Sequence, residues 1–295
     1  MKNEVHEGCK VELVTVLTLN YNNPFLYESI DSVLNQTYSD IQYIIFDDCS
    51  QKVHFDVEEI KRYIETHNKG NIKKVVVKQN EKNMGIIKNL NRAMKYVKGK
   101  YIFHLAGDDA FYDSKVLEEW TAYFKETKAE IVTAYRAVYD EKLEKEICVL
   151  PEKEDLEILK TGNQKKIWDH LCCRNFIFGC STARTKQCMD ESGGYDESYH
   201  YVEDYPWNLK MVRRGYQVQF WERIVIKYRW GGISSPARFN WNYLKDSLRI
   251  LRKEILPYSN HKRKDINNFY QWLKRQLKEK YYYPYKNKIK GWMKR

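Results

Sequence analysis

Residues 104–110 read "HLAGDDA", with two aspartates, Asp108 and Asp109, side by side after the apolar run "GKYIFHL". Gly-Asp-Asp suits a tight turn, and aspartate often caps the helix that follows. The same carboxylates at the carboxyl end of a strand can also hold a divalent cation. A second pair, Asp47–Asp48, closes the run "IQYIIFDDCS", and Glu203–Asp204 stands in "YVEDYPWN" just before Pro206, where acids favour a helix N-terminus. The seven histidines show no metal spacing, and the seven cysteines form no C-x-x-C pair. Zinc and a disulfide framework are therefore not indicated. His104 reads as a core residue, and the cysteines read as small buried hydrophobes suited to a reducing cytoplasm.

These acids need elements to place them. "VELVTVLTLNYN" is an apolar, β-branched run that predicts a buried strand, and "PFLYESIDSVLNQTY" has helical spacing at Leu26, Ile30, Val33 and Leu34. "IQYIIFDDCS" predicts the second strand, "VEEIKRYIETHNK" a helix, "IKKVVVKQN" a strand and "GIIKNLNRAMKYVKG" a helix. "KYIFHLAGDD", "SKVLEEWTAYFKET" and "AEIVTAYRAVYD" continue as strand, helix and strand. Such alternation predicts an α/β fold with a mostly parallel sheet flanked by helices, which binds ligands beyond the carboxyl ends of its strands. The polar clusters "LNYN", "FDDCS", "KQNEKN" and "LAGDD" all fall at those ends. No G-x-G-x-x-G follows the first strand and no P-loop is present. A sheet that offers carboxylates without glycine-rich phosphate loops can still neutralise a diphosphate through a bridging divalent metal. From 150 to 235 the pattern is less regular, with a helix expected from Pro206 to Arg214 and a strand near 224–229.

The 295 residues carry a net charge of +11, with 24 Tyr and 8 Trp. From Tyr243 to Arg295 there are 16 Lys/Arg against 4 Asp/Glu, whereas the preceding residues hold 35 basic and 36 acidic side chains. The body is neutral and the tail is the cation. Leu244, Leu248, Leu251 and Ile255 share one helical face, as do Ile266, Phe269, Leu273 and Leu277. The tail thus predicts amphipathic helices that either lie on an anionic membrane surface (residues 243–295) or dock on the body. The expected division is 1–236 and 237–295. No nucleic-acid-reading motif accompanies the charge. The polar N-terminus shows no secretory signal, and no run is long enough to span a membrane.

In order, "VTVLTLNYN", "LYESIDSVLNQTYSDIQYIIFDDCS", "NEKNMGIIKNLNRAMKYVKGKYIFHLAGDD", "GGYDES" and "EDYPWNLKMVRRGYQV" resemble the inverting family 2 glycosyltransferases of the GT-A fold. The likeness runs over residues 11 to 235. It is greatest to the bacterial enzymes that build capsule, lipopolysaccharide O-antigen and related polysaccharides. The resemblance implies that Asn20, Tyr21 and Asn22 lie against the nucleotide of a UDP-sugar, with Asp47 or Asp48 at the uracil edge. It places Asn83, Gly85 and Asn91 around the nucleotide, Asp108 on metal and diphosphate with Asp109 beside it, and the catalytic base in Glu203–Asp204, Asp204 foremost. The cofactor would be Mn2+ or Mg2+, and the acceptor a saccharide on a polyprenyl diphosphate at the inner face of a bacterial membrane. Ala106 departs from the pattern, because it stands where a further Asp is usual, and Gly231 stands where a His sometimes occurs. The alternative is a catalytically impaired protein of the same fold that binds membrane or nucleic acid through its tail. A nucleotidyltransferase would need a glycine-rich basic first loop, which "LNYNNP" is not. Trp168, Trp207 and Trp230 are candidates to stack on a sugar.

Overall fold

The computed structural model describes residues 11–231 and 241–277. β1 (Val14–Asn20), α1 (Leu26–Leu34), β2 (Ile41–Asp47), α2 (Val57–His67), β3 (Ile72–Gln79), α3 (Ile86–Met94) and β4 (Tyr101–Ala106) form the first half. Its strands pair in the order β3-β2-β1-β4, all parallel. β1 and β2 lie inside this sheet with both faces covered, so their apolar runs are continuous rather than alternating. Asp56 caps α2 by accepting the N–H groups of Glu58 and Glu59.

The second half contains β5 (Ala110–Phe111), α4 (Val116–Thr127), β6 (Ile131–Tyr139), β7 (Glu146–Leu150), α5 (Lys153–Lys160) and α6 (Gln164–Leu171). A 3-10 turn (Gly179–Ser181), β8 (Thr182–Thr185), α7 (Lys186–Ser192), α8 (Asp204–Arg213) and β9 (Val218–Arg229) complete it. The sheet continues β4-β8-β6-β9-β5, with β7 beside β6. Here only β6–β9 is parallel, so the parallel pattern of the first half gives way to a mixed sheet. α5 and α6 occupy a stretch that reads as irregular in sequence. α8 begins at Asp204, two residues before Pro206, and β9 is longer than expected.

The sheet separates two apolar clusters. One packs α1, α2 and α4 on one face, around Ile30, Tyr43, Phe103 and Trp120. The other packs α3, α6 and α8 on the opposite face, around Ile44, Leu90, Leu171 and Leu209. Beyond residue 240, α9 (Trp241–Ile250) runs into a π-helical turn (Leu251–Ile255), followed by α10 (Lys262–Leu277). Ile250, Leu251 and Ile255 enter the second cluster, while Leu248 faces out. The expected division near residue 236 falls outside the described residues, as does the chain after 277.

Candidate active site

The carboxyl ends of β1, β2 and β4 meet at one edge. Gly107 follows β4, and a Cβ there would come within 2.9 Å of Asn20 Oδ1 and 3.1 Å of the Leu19 carbonyl. Glycine lets the end of β4 lie against the end of β1, which brings Asp108 to the same edge as Asn20.

Asp47 is fully buried and accepts four hydrogen bonds: from Asn20 Nδ2 (2.7 Å), Ser50 N (2.7 Å), Ser50 Oγ (2.5 Å) and Gln79 Nε2 (2.9 Å). Its lone pairs are taken up in tying three strand ends together. Asp48 accepts from Asn80 Nδ2 (2.9 Å), Met84 N (2.8 Å) and Gly85 N (2.8 Å), and so holds the 80–85 loop. Of the pair, Asp48 retains acceptor capacity. Gly85 has φ +83, and Asn83 Oδ1 accepts its N–H at 3.2 Å. Asn22 has φ 46 and bonds Ser50 and Gln51, while Tyr21 beside it is exposed.

Asn91 is placed elsewhere. Its Nδ2 donates to the Tyr195 carbonyl (2.8 Å) and Glu197 Oε1 (3.0 Å), and its Oδ1 accepts from Tyr195 N (3.0 Å). It clamps the loop that leads to Glu203–Asp204 rather than facing the 80–85 loop.

Asp109 is buried. Its Oδ1 accepts the Arg229 N–H at 2.9 Å, and its Oδ2 has no partner among the described residues. Arg229 Nε donates to the Asp108 carbonyl (2.8 Å), and its NH2 pairs with Glu28 at 2.6 Å. Burial, and then the charge of Asp108, raises the Asp109 carboxyl well above the usual range, and burial raises Asp108 as well. Two desolvated acids with an unmatched oxygen suit a divalent cation, which would restore both to carboxylates. No cluster of three metal-ligating side chains exists among the described residues. The remaining ligands would have to be phosphate oxygens and water, the usual arrangement for a cation bound together with a diphosphate.

Glu203 and Asp204 open α8. Asp204 Oδ2 accepts from Gly179 N (2.9 Å) and Asn175 Nδ2 (3.2 Å). A Cβ on Gly179 would lie 3.3 Å from the Asp204 Cβ, so this approach is close. Glu203 is pushed up to about 8 by burial first and by Asp204 second, and therefore keeps its proton at neutral pH. Two like acids with separated roles result, one fixed by hydrogen bonds through one oxygen and the other neutral. The thiol of Cys180, pushed up to about 11 chiefly by burial, feels both Asp109 and Asp204. The two acid sites thus flank the 179–181 turn.

Several residues of this site were not singled out by sequence. Asn175 and Gly179 hold Asp204, Arg229 braces Asp109, and Asp246 of α9 accepts the N–H groups of His200 (2.7 Å) and Tyr201 (2.8 Å). Trp207 is buried beneath Arg184, whose guanidinium lies 4.4 Å from its ring, and Trp168 packs against the core. Trp230 is 47% exposed. His104 is half-buried against Tyr195 and is drawn down to about 3 by desolvation, which makes it neutral.

Comparison with known proteins adds to this geometry. Among relatives, the Escherichia coli UDP-Glc:alpha-D-GlcNAc-diphosphoundecaprenol beta-1,3-glucosyltransferase WfaP is 25% identical over 222 residues, covering 74% of this chain and 78% of its own. The Staphylococcus aureus TarS fragment 1–349 in complex with UDP-GlcNAc shares the fold, with a TM-score of 0.64 at 14% identity over 90% of this chain and 73% of that one. The mannosyltransferase PcManGT of Pyrobaculum calidifontis, solved with GDP-Man and Mn2+, has a TM-score of 0.58 at 15% identity over 81% of this chain and 63% of its own. The sequence model of "Glycosyl transferase family 2" matches residues 14–182. The chain belongs to glycosyl transferase family 2, with its GT-A fold.

Proposed function

We propose that this transferase is an inverting, divalent-metal-dependent enzyme that moves a sugar from a UDP-sugar to a hydroxyl of a polyprenyl-diphosphate-linked bacterial surface glycan. The observation that carries this reading is the pairing of two acid sites across the 179–181 turn. Asp108 and Asp109 lie at the strand edge, and Asp204 is held through one oxygen by Gly179 and Asn175. Inversion needs one carboxylate to take the acceptor proton while the anomeric carbon is attacked opposite its leaving group. Asp204, whose second oxygen has no hydrogen-bond donor among the described residues, fits that role. Glu203, neutral beside it, avoids a second negative charge and can donate a hydrogen bond to a sugar hydroxyl. When bound, Mn2+ or Mg2+ would supply charge stabilisation to the departing diphosphate. Asp108 and Asp109 are the residues to hold it.

WfaP supports the choice of donor and of acceptor class, since its name specifies UDP-Glc, a diphosphoundecaprenol-linked sugar and a β linkage. The Mn2+ in the PcManGT complex supports the metal. No helix among the described residues is long and apolar enough to cross a membrane. The exposed Trp241, Leu248, Tyr258, Ile266 and Tyr270 sit among basic side chains of the C-terminal segment, which favours peripheral binding to the anionic inner face of the membrane.

The test is a panel of UDP-sugars assayed for UDP release, with and without an undecaprenyl-diphosphate-linked sugar. Release that depends on both the acceptor and a divalent cation supports the reading. The absence of transfer from every nucleotide sugar overturns it.

A further inference from the structure

Arg136, on β6, is a half-buried cation with no carboxylate within ion-pair distance among the described residues. Its guanidinium is sandwiched between the rings of Phe178 (3.7 Å) and Tyr228 (4.3 Å). NH1 donates to the Cys180 thiol at 3.5 Å, a weak acceptor, and Nε is buried with no partner. A guanidinium whose Nε is shielded from water and unmatched is costly unless an anion completes it. With both faces covered by rings, only its edge can bind, and that edge presents the planar fork that matches phosphate oxygens.

Its position identifies the anion. Phe178 and Cys180 flank Gly179, whose N–H holds Asp204 at 2.9 Å. Tyr228 precedes Arg229, whose N–H holds Asp109 at 2.9 Å. Arg136 therefore stands between the carboxylates of the strand edge and the carboxylate at the start of α8, where the bond to be broken must lie. This rests on the reading of the chain as a transferase that uses a nucleoside diphosphate sugar.

We propose that Arg136 binds the leaving diphosphate of the donor. As the acceptor oxygen bonds to the anomeric carbon, its proton passes to Asp204. The bond from the anomeric carbon to the diphosphate oxygen breaks, with its electron pair going to that oxygen. Arg136 stays protonated throughout and meets the charge that appears there. Phe178 and Tyr228 fix the plane of the guanidinium beforehand, so no reorganisation accompanies the step.

The experiment compares wild type with Arg136→Lys, Arg136→Gln and Arg136→Ala. Calorimetry with UDP and with UMP in the presence of Mn2+ is set beside steady-state kinetics. Wild type should prefer UDP to UMP. Arg136→Ala and Arg136→Gln should lose most of that preference, with UMP affinity unchanged, and kcat should fall about 10²-fold. Arg136→Lys should recover part of the affinity but little of kcat, because a point charge lacks the fork. Thermal melts identify any variant that fails to fold, and Arg136→Lys and Arg136→Gln keep most of the side-chain volume between the two rings. An unchanged UDP-to-UMP ratio with an unchanged kcat overturns the assignment, as does an effect confined to the KM of the acceptor. If wild type itself neither prefers UDP nor transfers from any donor, the functional reading fails and the assignment falls with it. If wild type does both and Arg136→Ala does likewise, only the assignment fails.

Discussion

Asp246 accepts the backbone N–H of His200 at 2.7 Å and that of Tyr201 at 2.8 Å, so a carboxylate of α9 holds the loop that ends at Glu203. Asp246 is 1% exposed, and 46 residues separate it from His200. Lys253 pairs with Asp196 at 2.6 Å on the same loop, and Arg213 pairs with Glu254 at 3.3 Å. The C-terminal segment is thereby fastened to the loop before Glu203–Asp204 and to the end of α8.

Asp246→Ala leaves two partly buried N–H donors unmatched and frees the loop at its midpoint. Hydrogen bonds to a charged group are each worth about 1.5–3 kcal/mol, so urea unfolding should show a loss of at least about 2 kcal/mol. Transfer should drop while UDP affinity holds, because Asp246 fastens the loop before Glu203–Asp204 and not the 80–85 loop. Asp246→Asn, which keeps one acceptor oxygen, should recover part of both losses. Unchanged unfolding and unchanged kcat in Asp246→Ala would mean that the clasp does not matter in solution.

That clasp also marks where sequence stops informing. β1 to β4 and α1 to α4 were legible because each carries its own periodicity and its own turn residues. The positions of Asp108–Asp109 and Glu203–Asp204 were legible because one pair follows an apolar run and the other stands just before Pro206. α5 and α6 were missed because their apolar contacts, Leu159, Ile167 and Leu171, are thinly scattered among charges. The family resemblance places Asn91 with the nucleotide, while its hydrogen-bond partner Tyr195 lies 104 residues away. Arg136 and Asp246 make contacts 44 and 46 residues away, which no local pattern encodes. One signal was present. The tail holds few acids, and the described ones, Asp246, Glu254 and Asp265, are all buried. In a basic segment, the rare acid marks the docked face.

Glu203 gives the protein a pH dependence of known sign. Burial raises its carboxyl from 4.5 in the unfolded chain to about 8 in the folded one. Between those values the folded chain holds a proton that the unfolded chain has released, so raising the pH through the window favours unfolding. Glu203→Gln removes this titration. Its unfolding midpoint should fall less steeply than that of wild type from about pH 5 to pH 8. Parallel curves for the two proteins would place Glu203 in a more hydrated setting.

Asp108→Ala and Asp109→Asn test the cation site directly. Each removes one of the two desolvated carboxyls at the end of β4, and Asp109→Asn leaves the hydrogen bond from Arg229 N intact. Mn2+-dependent UDP binding should be abolished in Asp108→Ala and weakened about tenfold or more in Asp109→Asn. In wild type, Mn2+ affinity should rise with pH as the raised carboxyls deprotonate. Wild-type transfer rates in Asp108→Ala would remove the metal assignment.

Asp204→Asn separates binding from chemistry. Asparagine can still accept the Gly179 N–H through Oδ1, so the 179–181 turn keeps its place, but the proton acceptor is gone. UDP-sugar binding should be unchanged, and kcat should fall about 10²- to 10⁴-fold, the range for loss of a general base. Gly179→Ala approaches the same end by another route. Its Cβ, 3.3 Å from that of Asp204, pushes the carboxylate off position, so kcat should fall with little change in the KM of the donor. If Asp204→Asn transfers normally, the base lies elsewhere.

The surface of α10 decides whether the tail meets lipid. Lys262, Arg263, Lys274 and Arg275 are exposed, and Ile266 and Tyr270 are exposed one helical turn apart among them. Asp265 on the same helix is buried with Ser259. The helix thus has a docked side and an outward side that is basic and partly apolar. Each basic residue near an anionic bilayer contributes about 1 kcal/mol, so replacing all four with Gln should cost about 4 kcal/mol and lower binding to phosphatidylserine vesicles by close to three orders of magnitude. Binding of wild type should weaken as salt shortens the Debye length, and neutral phosphatidylcholine vesicles should bind neither protein strongly. Because these side chains are exposed on the outward side of α10, transfer to a short soluble acceptor should be unaffected in the fourfold variant. Wild-type binding to phosphatidylserine by that variant would show that α10 does not face the membrane, and its charge would then be a solvated outer surface of a docked helix.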